Sequence, residues 1–98
     1  MEREIKIDNI YKHFKGHTYK VIAIAYDSEN YNEKDPSKSR LVVYKNVDTE
    51  EVWVRPYDMF NSLVDKEKYP DIKQKYRFEE VKIESEKLSL LQKHIQEH

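Results

Sequence analysis

Tyr19-Lys20-Val21-Ile22-Ala23-Ile24-Ala25-Tyr26 is the most apolar run in the chain. Its length and its β-branched content favour a buried strand over a helix. Upstream, Tyr11-Lys12-His13-Phe14-Lys15-Gly16-His17 alternates rings with charges and reads as a first strand, with a turn at Gly16-His17. Downstream, Arg40-Leu41-Val42-Val43-Tyr44-Lys45 and Val52-Trp53-Val54-Arg55 are short and β-rich, and the turn residues 46–51 separate them. That pattern predicts a hairpin. The polar stretch between the two halves, 27–39, is long for a hairpin connection, and its tip is expected to be exposed.

Outward from this centre the signals change. Pro56 ends the fourth strand and suits the first position of a helix, where its missing N–H costs nothing. Met59, Phe60, Leu63 and Val64 then fall on one face at helical spacing, so a short helical turn is expected near 57–64. Residues 65–75 are charged and broken by Pro70, after which 76–83 returns to strand-like alternation, with Tyr76 and Phe78 on one face. Ser85 is a candidate N-cap, and Leu88, Leu91 and Ile95 recur at helical spacing behind it. At the other end, Ile5 and Ile7 alternate with charges, a weak sign of an edge strand. The expected organisation is a polar N-terminal arm over 1–10, a barrel domain over 11–83 and an amphipathic helix over 84–98. The expected fold is mainly β: a small barrel or roll of four to five antiparallel strands around an aromatic core.

Composition narrows the function classes. The chain has 98 residues, room for one small domain. It balances 18 Lys+Arg against 19 Asp+Glu, a net charge of −1, which argues against a dedicated duplex-DNA binder. No apolar run is long enough to cross a membrane as a helix, and the N-terminus has no apolar signal region. There is no Cys, hence no disulfide framework and no thiolate chemistry. Gly16 is the only glycine, so a phosphate-cradling glycine-rich loop is excluded. Eight Tyr, three Phe and one Trp offset a modest apolar content and point to a folded centre with charged flanks. The plain expectation is a soluble cytoplasmic domain.

The blocks Tyr11-Lys12-His13-Phe14-Lys15-Gly16, Tyr19-Lys20-Val21-Ile22-Ala23-Ile24-Ala25, Ser28-Glu29, Leu41-Val42-Val43-Tyr44, Trp53-Val54-Arg55-Pro56-Tyr57-Asp58-Met59-Phe60 and Tyr76-Arg77-Phe78 resemble a small bacterial family, domain of unknown function 1653. Their order and spacing carry the resemblance, which covers about residues 11–80. It implies an SH3-like barrel and no activity. The chain departs from the pattern in its long 27–39 loop and in the segment from Ser85 onward.

Candidate site residues cluster in two places. Trp53, Arg55, Pro56, Met59 and Phe60 form the denser group. An exposed Trp beside Arg can stack a flat ligand, but an inward Trp53 is the expectation, because Trp is highly buried on average. Arg55 shares the face of Trp53 and is expected at the barrel rim, as an anion contact. Tyr11, His13, Lys15 and His17 alternate along the first strand and turn. With Tyr26, Tyr44 and Arg55 they can line a polar groove suited to phosphate, carboxylate or a purine ring, although burial statistics favour an ordinary wet strand face. His94 and His98 stand at metal-binding spacing but lack a third ligand and lie near the chain end, so no metal site is expected there.

No catalytic constellation is readable: the carboxylates sit in polar loops, and no Ser has the flanking glycines of a nucleophile elbow. The expected function is a non-catalytic binding module whose groove takes a small anionic or nucleotide-like ligand, with no cofactor. The alternative is a protein or peptide interaction module using the aromatic groove, the 27–39 loop or the last helix. Single-stranded nucleic acid is a further reading, resting on aromatics interleaved with Lys12, Lys15 and Lys20, and the neutral charge weighs against it. Leu88, Leu91 and Ile95 are candidate contacts for a homo-oligomer, or for capping the barrel.

Overall fold

The computed structural model describes residues 3–81. Five antiparallel strands form one sheet in the order β4-β3-β2-β1-β5. They are β1 (Ile10–His13), β2 (Thr18–Tyr26), β3 (Arg40–Asn46), β4 (Val52–Pro56) and β5 (Phe78–Glu80). A 3₁₀ turn over Pro36–Ser39 leads into β3, and a single-turn helix, α1 (Tyr57–Phe60), follows β4. The chain is therefore mainly β, as its alternation predicts. Its Leu88, Leu91, Ile95, His94 and His98 fall outside the described residues.

Local chemistry explains the connections. Gly16 has φ +110°, a conformation that costs other residues strain, and its N–H donates to the His13 carbonyl at 2.8 Å. The tight turn thus folds β2 back on β1. The Asn46 side chain closes the β3–β4 hairpin, accepting from the Asp48 and Thr49 N–H groups at 2.8 and 3.0 Å. The long 27–39 connection is stapled from inside. Its buried Ser39 hydroxyl accepts from the Asn32 N–H at 2.7 Å and donates to the Asn30 carbonyl at 3.2 Å.

The register is broken once, between Val21 and Ala23 on β2. A bulge there bends the strand and raises the local twist, which curls the sheet. Beyond the bulge Ile24 faces Val42, so the inner face is kept. On β3 the alternation is clean: Val42, Tyr44 and Asn46 are buried, while their neighbours are only half-buried. No ladder joins β4 to β5 among the described residues. The gap between those edges is spanned by α1 and by residues 62–64, where Leu63 bridges Tyr76 and Arg77 N–H donates to the Ser62 carbonyl.

The core is aromatic. Phe60 and Phe78 stack with centroids 4.0 Å apart, and Tyr44 presents its edge to both at 5.2 and 5.4 Å. Tyr11 meets Phe60 edge-on at 5.5 Å, and Val21 and Val42 fill the remaining space. Buried tyrosines need partners for their hydroxyls. Tyr57 accepts from the Ile5 N–H at 2.8 Å and Tyr11 from the Lys6 N–H at 2.9 Å. These two bonds tie the N-terminal segment to the core. Ile5 is buried there while Ile7 stays exposed, and neither lies in a strand.

Two expectations are corrected. The face proposed for 57–64 is not one buried stripe: Phe60 and Val64 are buried, whereas Met59 and Leu63 are exposed. The helix stops after one turn, because residues 62–64 extend to pair with residues 75–77. Trp53 is 49 % exposed rather than the main core hydrophobe. It stands opposite Tyr44 and shares the inner face, but it lies on the edge strand, where no neighbouring strand covers its outer side among the described residues. Alternation selects a face; it does not supply a cover for it.

Candidate functional site

The turn after β1, the approach to β5 and the segment after α1 converge on one side of the domain. They enclose a cleft of about 320 Å³. His13, Phe14 and Lys15 enter from the β1 turn, Arg55 from β4, Val64, Asp65, Lys68 and Tyr69 from the stretch after α1, and Arg77 from the approach to β5.

Its floor is aromatic and rigid. The His13 ring stacks on Phe14 at 4.5 Å and meets the edge of Phe78 at 4.8 Å, while Phe14 leans on Tyr69 at 4.9 Å. His13 Nδ1 accepts from the Lys15 N–H at 3.1 Å, which leaves the proton of a neutral ring on Nε2. Burial first, then the charges of Arg55, Arg77, Lys15 and His17, lower the His13 pKa to about 4. At neutral pH the ring is an uncharged donor among cations.

The walls are cationic. Lys15, Arg55, Lys68 and Arg77 face one carboxylate, Asp65. Asp65 is already engaged as a turn cap: its Oδ1 accepts from the Glu67 and Lys68 N–H groups at 3.0 and 3.3 Å. Among the described residues no ion pair joins it to the surrounding cations. Arg55 is held in place by donating Nε–H to the Tyr44 hydroxyl at 3.2 Å, with its guanidinium 5.5 Å from the Phe78 ring centroid. Arg77 Nε is buried without a hydrogen-bond partner among the described residues. An unpaired buried donor costs about 1–3 kcal/mol, more when charged.

Of the residues singled out from sequence, His13, Lys15 and Arg55 come together here, with Tyr44 behind Arg55. Tyr11 and Phe60 are core residues beneath the site. Tyr26 is exposed and packs on Tyr31 at 5.5 Å, away from the cleft. Trp53 and Met59 are exposed and do not line it. Sequence reasoning missed Phe14, Val64, Asp65, Lys68, Tyr69 and Arg77. Arg77 was within reach of a register argument, since the Phe14 N–H donates to its carbonyl at 3.0 Å beside the His13–Phe78 pair.

The family described as Protein of unknown function (DUF1653) matches residues 9–80. The chain belongs to that family. No curated protein and no solved structure matches it. The DUF1653 span runs from the start of β1 to the end of β5 and contains every residue that lines the cleft. The segment 84–98 lies outside it.

A second, more open cleft of about 440 Å³ lies beside α1, lined by Arg3, Asp58, Asn61, Leu63, Lys75 and Tyr76 among others. Arg3 covers the Tyr76 ring at 3.9 Å and donates Nε–H to Asn61. Its charge balance is closer to even; the Arg3–Asn61 bonds seat the N-terminal segment, and Arg3 Nη2 is also buried without a partner among the described residues. Among the described residues no group of three or more His, Asp or Glu is placed to hold a metal ion, and no helix is long and apolar enough to cross a membrane.

Proposed function

We propose that this DUF1653 protein is a non-catalytic binding module, an SH3-like barrel whose cleft takes a small ligand bearing an oxyanion, either carboxylate or phosphate. The observation that carries the reading is the charge of the cleft, where Lys15, Arg55, Lys68 and Arg77 meet the single, already engaged carboxylate of Asp65. Guanidinium groups suit planar, multi-oxygen acceptors, and the neutral His13 adds a further donor beside them. The aromatic floor gives an attached ring or alkyl group a surface to pack on, which keeps a nucleotide-like ligand within the reading. A cleft of about 320 Å³ is at the small end of ligand sites. A bacterial setting is what the family resemblance implies, and a cytoplasmic one is our reading of the cysteine-free composition.

Calorimetric titration with sulfate, with inorganic phosphate and with a nucleoside monophosphate tests this. Saturable binding lost in Arg77→Met and Arg55→Met, with folding intact, is the expected result. Three flat titrations of the folded protein would remove the small-anion reading and leave the protein-interaction one.

A further inference from the structure

Strand β4 is an edge of the sheet, and no ladder covers its outer rim among the described residues. The Asn46 N–H donates to the Glu51 carbonyl at 2.9 Å, which sets the parity of the β3–β4 ladder. Trp53 opposite Tyr44 and Arg55 opposite Val42 are then the bonded pairs, and the N–H and C=O groups of Val52 and Val54 point away from β3. The same strand is the barest apolar run in the fold: Val52 is 56 % and Val54 57 % exposed, with the half-exposed Trp53 between them. Edge strands of monomers usually carry inward charges, bulges or prolines; this one has the inward Arg55 and Pro56 at its end, and neither interrupts the run 52–54.

We propose that β4 pairs antiparallel with β4 of a second copy, about a twofold axis through Trp53. Register chooses that axis. Centred on Trp53, Val52 of each copy faces Val54 of the other, and all four outward N–H groups find outward carbonyls. Centred on Val52, Val54 meets Glu50, whose N–H already donates to the Asn46 carbonyl and whose φ of 65° has left the extended region. Centred on Val54, Val52 meets Pro56, which has no N–H to give. Side chains agree with the first choice. Trp53 meets Trp53 on the inner face, Val52 meets Val54 on the outer face, and the Glu51 and Arg55 positions stand across from one another, of unlike charge, so no like charges are opposed. A twofold contact must be self-complementary in this way. The paired area is small, so the dimer belongs to the reversible class. It does not depend on the anion cleft being occupied.

Trp53 is the only tryptophan in the chain, so its emission reports the contact directly. Sedimentation equilibrium of the full chain over a wide concentration range, read with Trp53 emission, is the experiment. A monomer–dimer equilibrium is expected, with emission moving to the red on dilution. Val54→Pro removes an outward N–H that the β3 ladder does not use, and it should weaken the dimer tenfold or more with the far-ultraviolet circular dichroism unchanged. Should that variant fail to fold, the exposed double change Val52→Lys with Val54→Lys serves the same purpose. A chain that stays monomeric at every concentration overturns the proposal. So does a dimer that neither variant weakens, and loss of the dimer on Leu88→Lys with Leu91→Lys but not on Val54→Pro would place the contact in the 84–98 segment instead.

Discussion

Arg55 reaches across the inner face from β4 to give its Nε–H to the hydroxyl of Tyr44 at 3.2 Å. Tyr44 is a core residue and Arg55 a cleft residue, so this bond couples the aromatic interior to the cationic wall. Removing the hydroxyl leaves the core ring in place and frees the guanidinium. Tyr44→Phe should cost about 1 kcal/mol in urea unfolding. It should also weaken sulfate binding several-fold through the loss of Arg55 positioning. Unchanged affinity, measured by calorimetry, would show that Arg55 is not placed by Tyr44.

Arg77 should behave in the opposite way. Among the described residues its Nε is buried without an acceptor, so the side chain costs stability. Arg77→Met keeps the aliphatic stem and removes the unsatisfied donor. Thermal unfolding should show stability unchanged or raised by about 1 kcal/mol, while sulfate affinity falls tenfold or more. Loss of stability and of binding together would make Arg77 a packing residue.

His13 supplies a pH signature. Its pKa is lowered to about 4 in the folded chain, against an ordinary value near ~6.5 when unfolded. Between those values the unfolded state binds the extra proton. The contribution of the neutral ring is therefore complete above pH ~6.5, declines as pH falls through that window and has gone by about 4. After allowance for partial exposure the loss should be about 2 kcal/mol, read as the difference between wild type and His13→Gln in unfolding at several pH values. A bound anion offsets the surrounding cations and raises the His13 pKa. Sulfate, which does not titrate in this range, should thus bind more tightly at pH 5 than at pH 7.

The Phe60–Phe78 stack is the centre of the core. Phe60→Ala should destabilise by about 4 kcal/mol, a large share of what a domain of this size has. Met59→Ala, one position away on an exposed side chain, should cost less than about 0.5 kcal/mol. Equal effects in chemical denaturation would contradict the assignment of the core.

Much of the fold is written in short-range patterns. The run 19–26, the alternation of 40–46, the turn residues after Asn46 and the single glycine at 16 each act through neighbours a few residues away, so strands and turns could be read directly. The DUF1653 blocks, taken together, pointed to the same mainly β domain. The aromatic content likewise signalled a core built from few large side chains. A third of the cleft was legible too: His13 and Lys15 were singled out by their alternation along the first strand, and Arg55 by its place on the face of Trp53.

The remainder depended on which distant segments meet. Alternation put Trp53 and Arg55 on one face, but only the position of β4 at the sheet edge left Trp53 bare and Arg55 folded inward over Phe78. Helical spacing grouped Met59 with Phe60, and the pairing of 62–64 with 75–77 ended the helix before that face could be used. Arg77 reads as the outward charge between Tyr76 and Phe78 in an alternating stretch, and only the bond from the Phe14 N–H to its carbonyl sets it beside His13 and Arg55. Side-chain direction along a strand follows from local stereochemistry and is carried by the sequence. Burial and charge environment are sums over neighbours remote in the chain, and only the tertiary structure sets them.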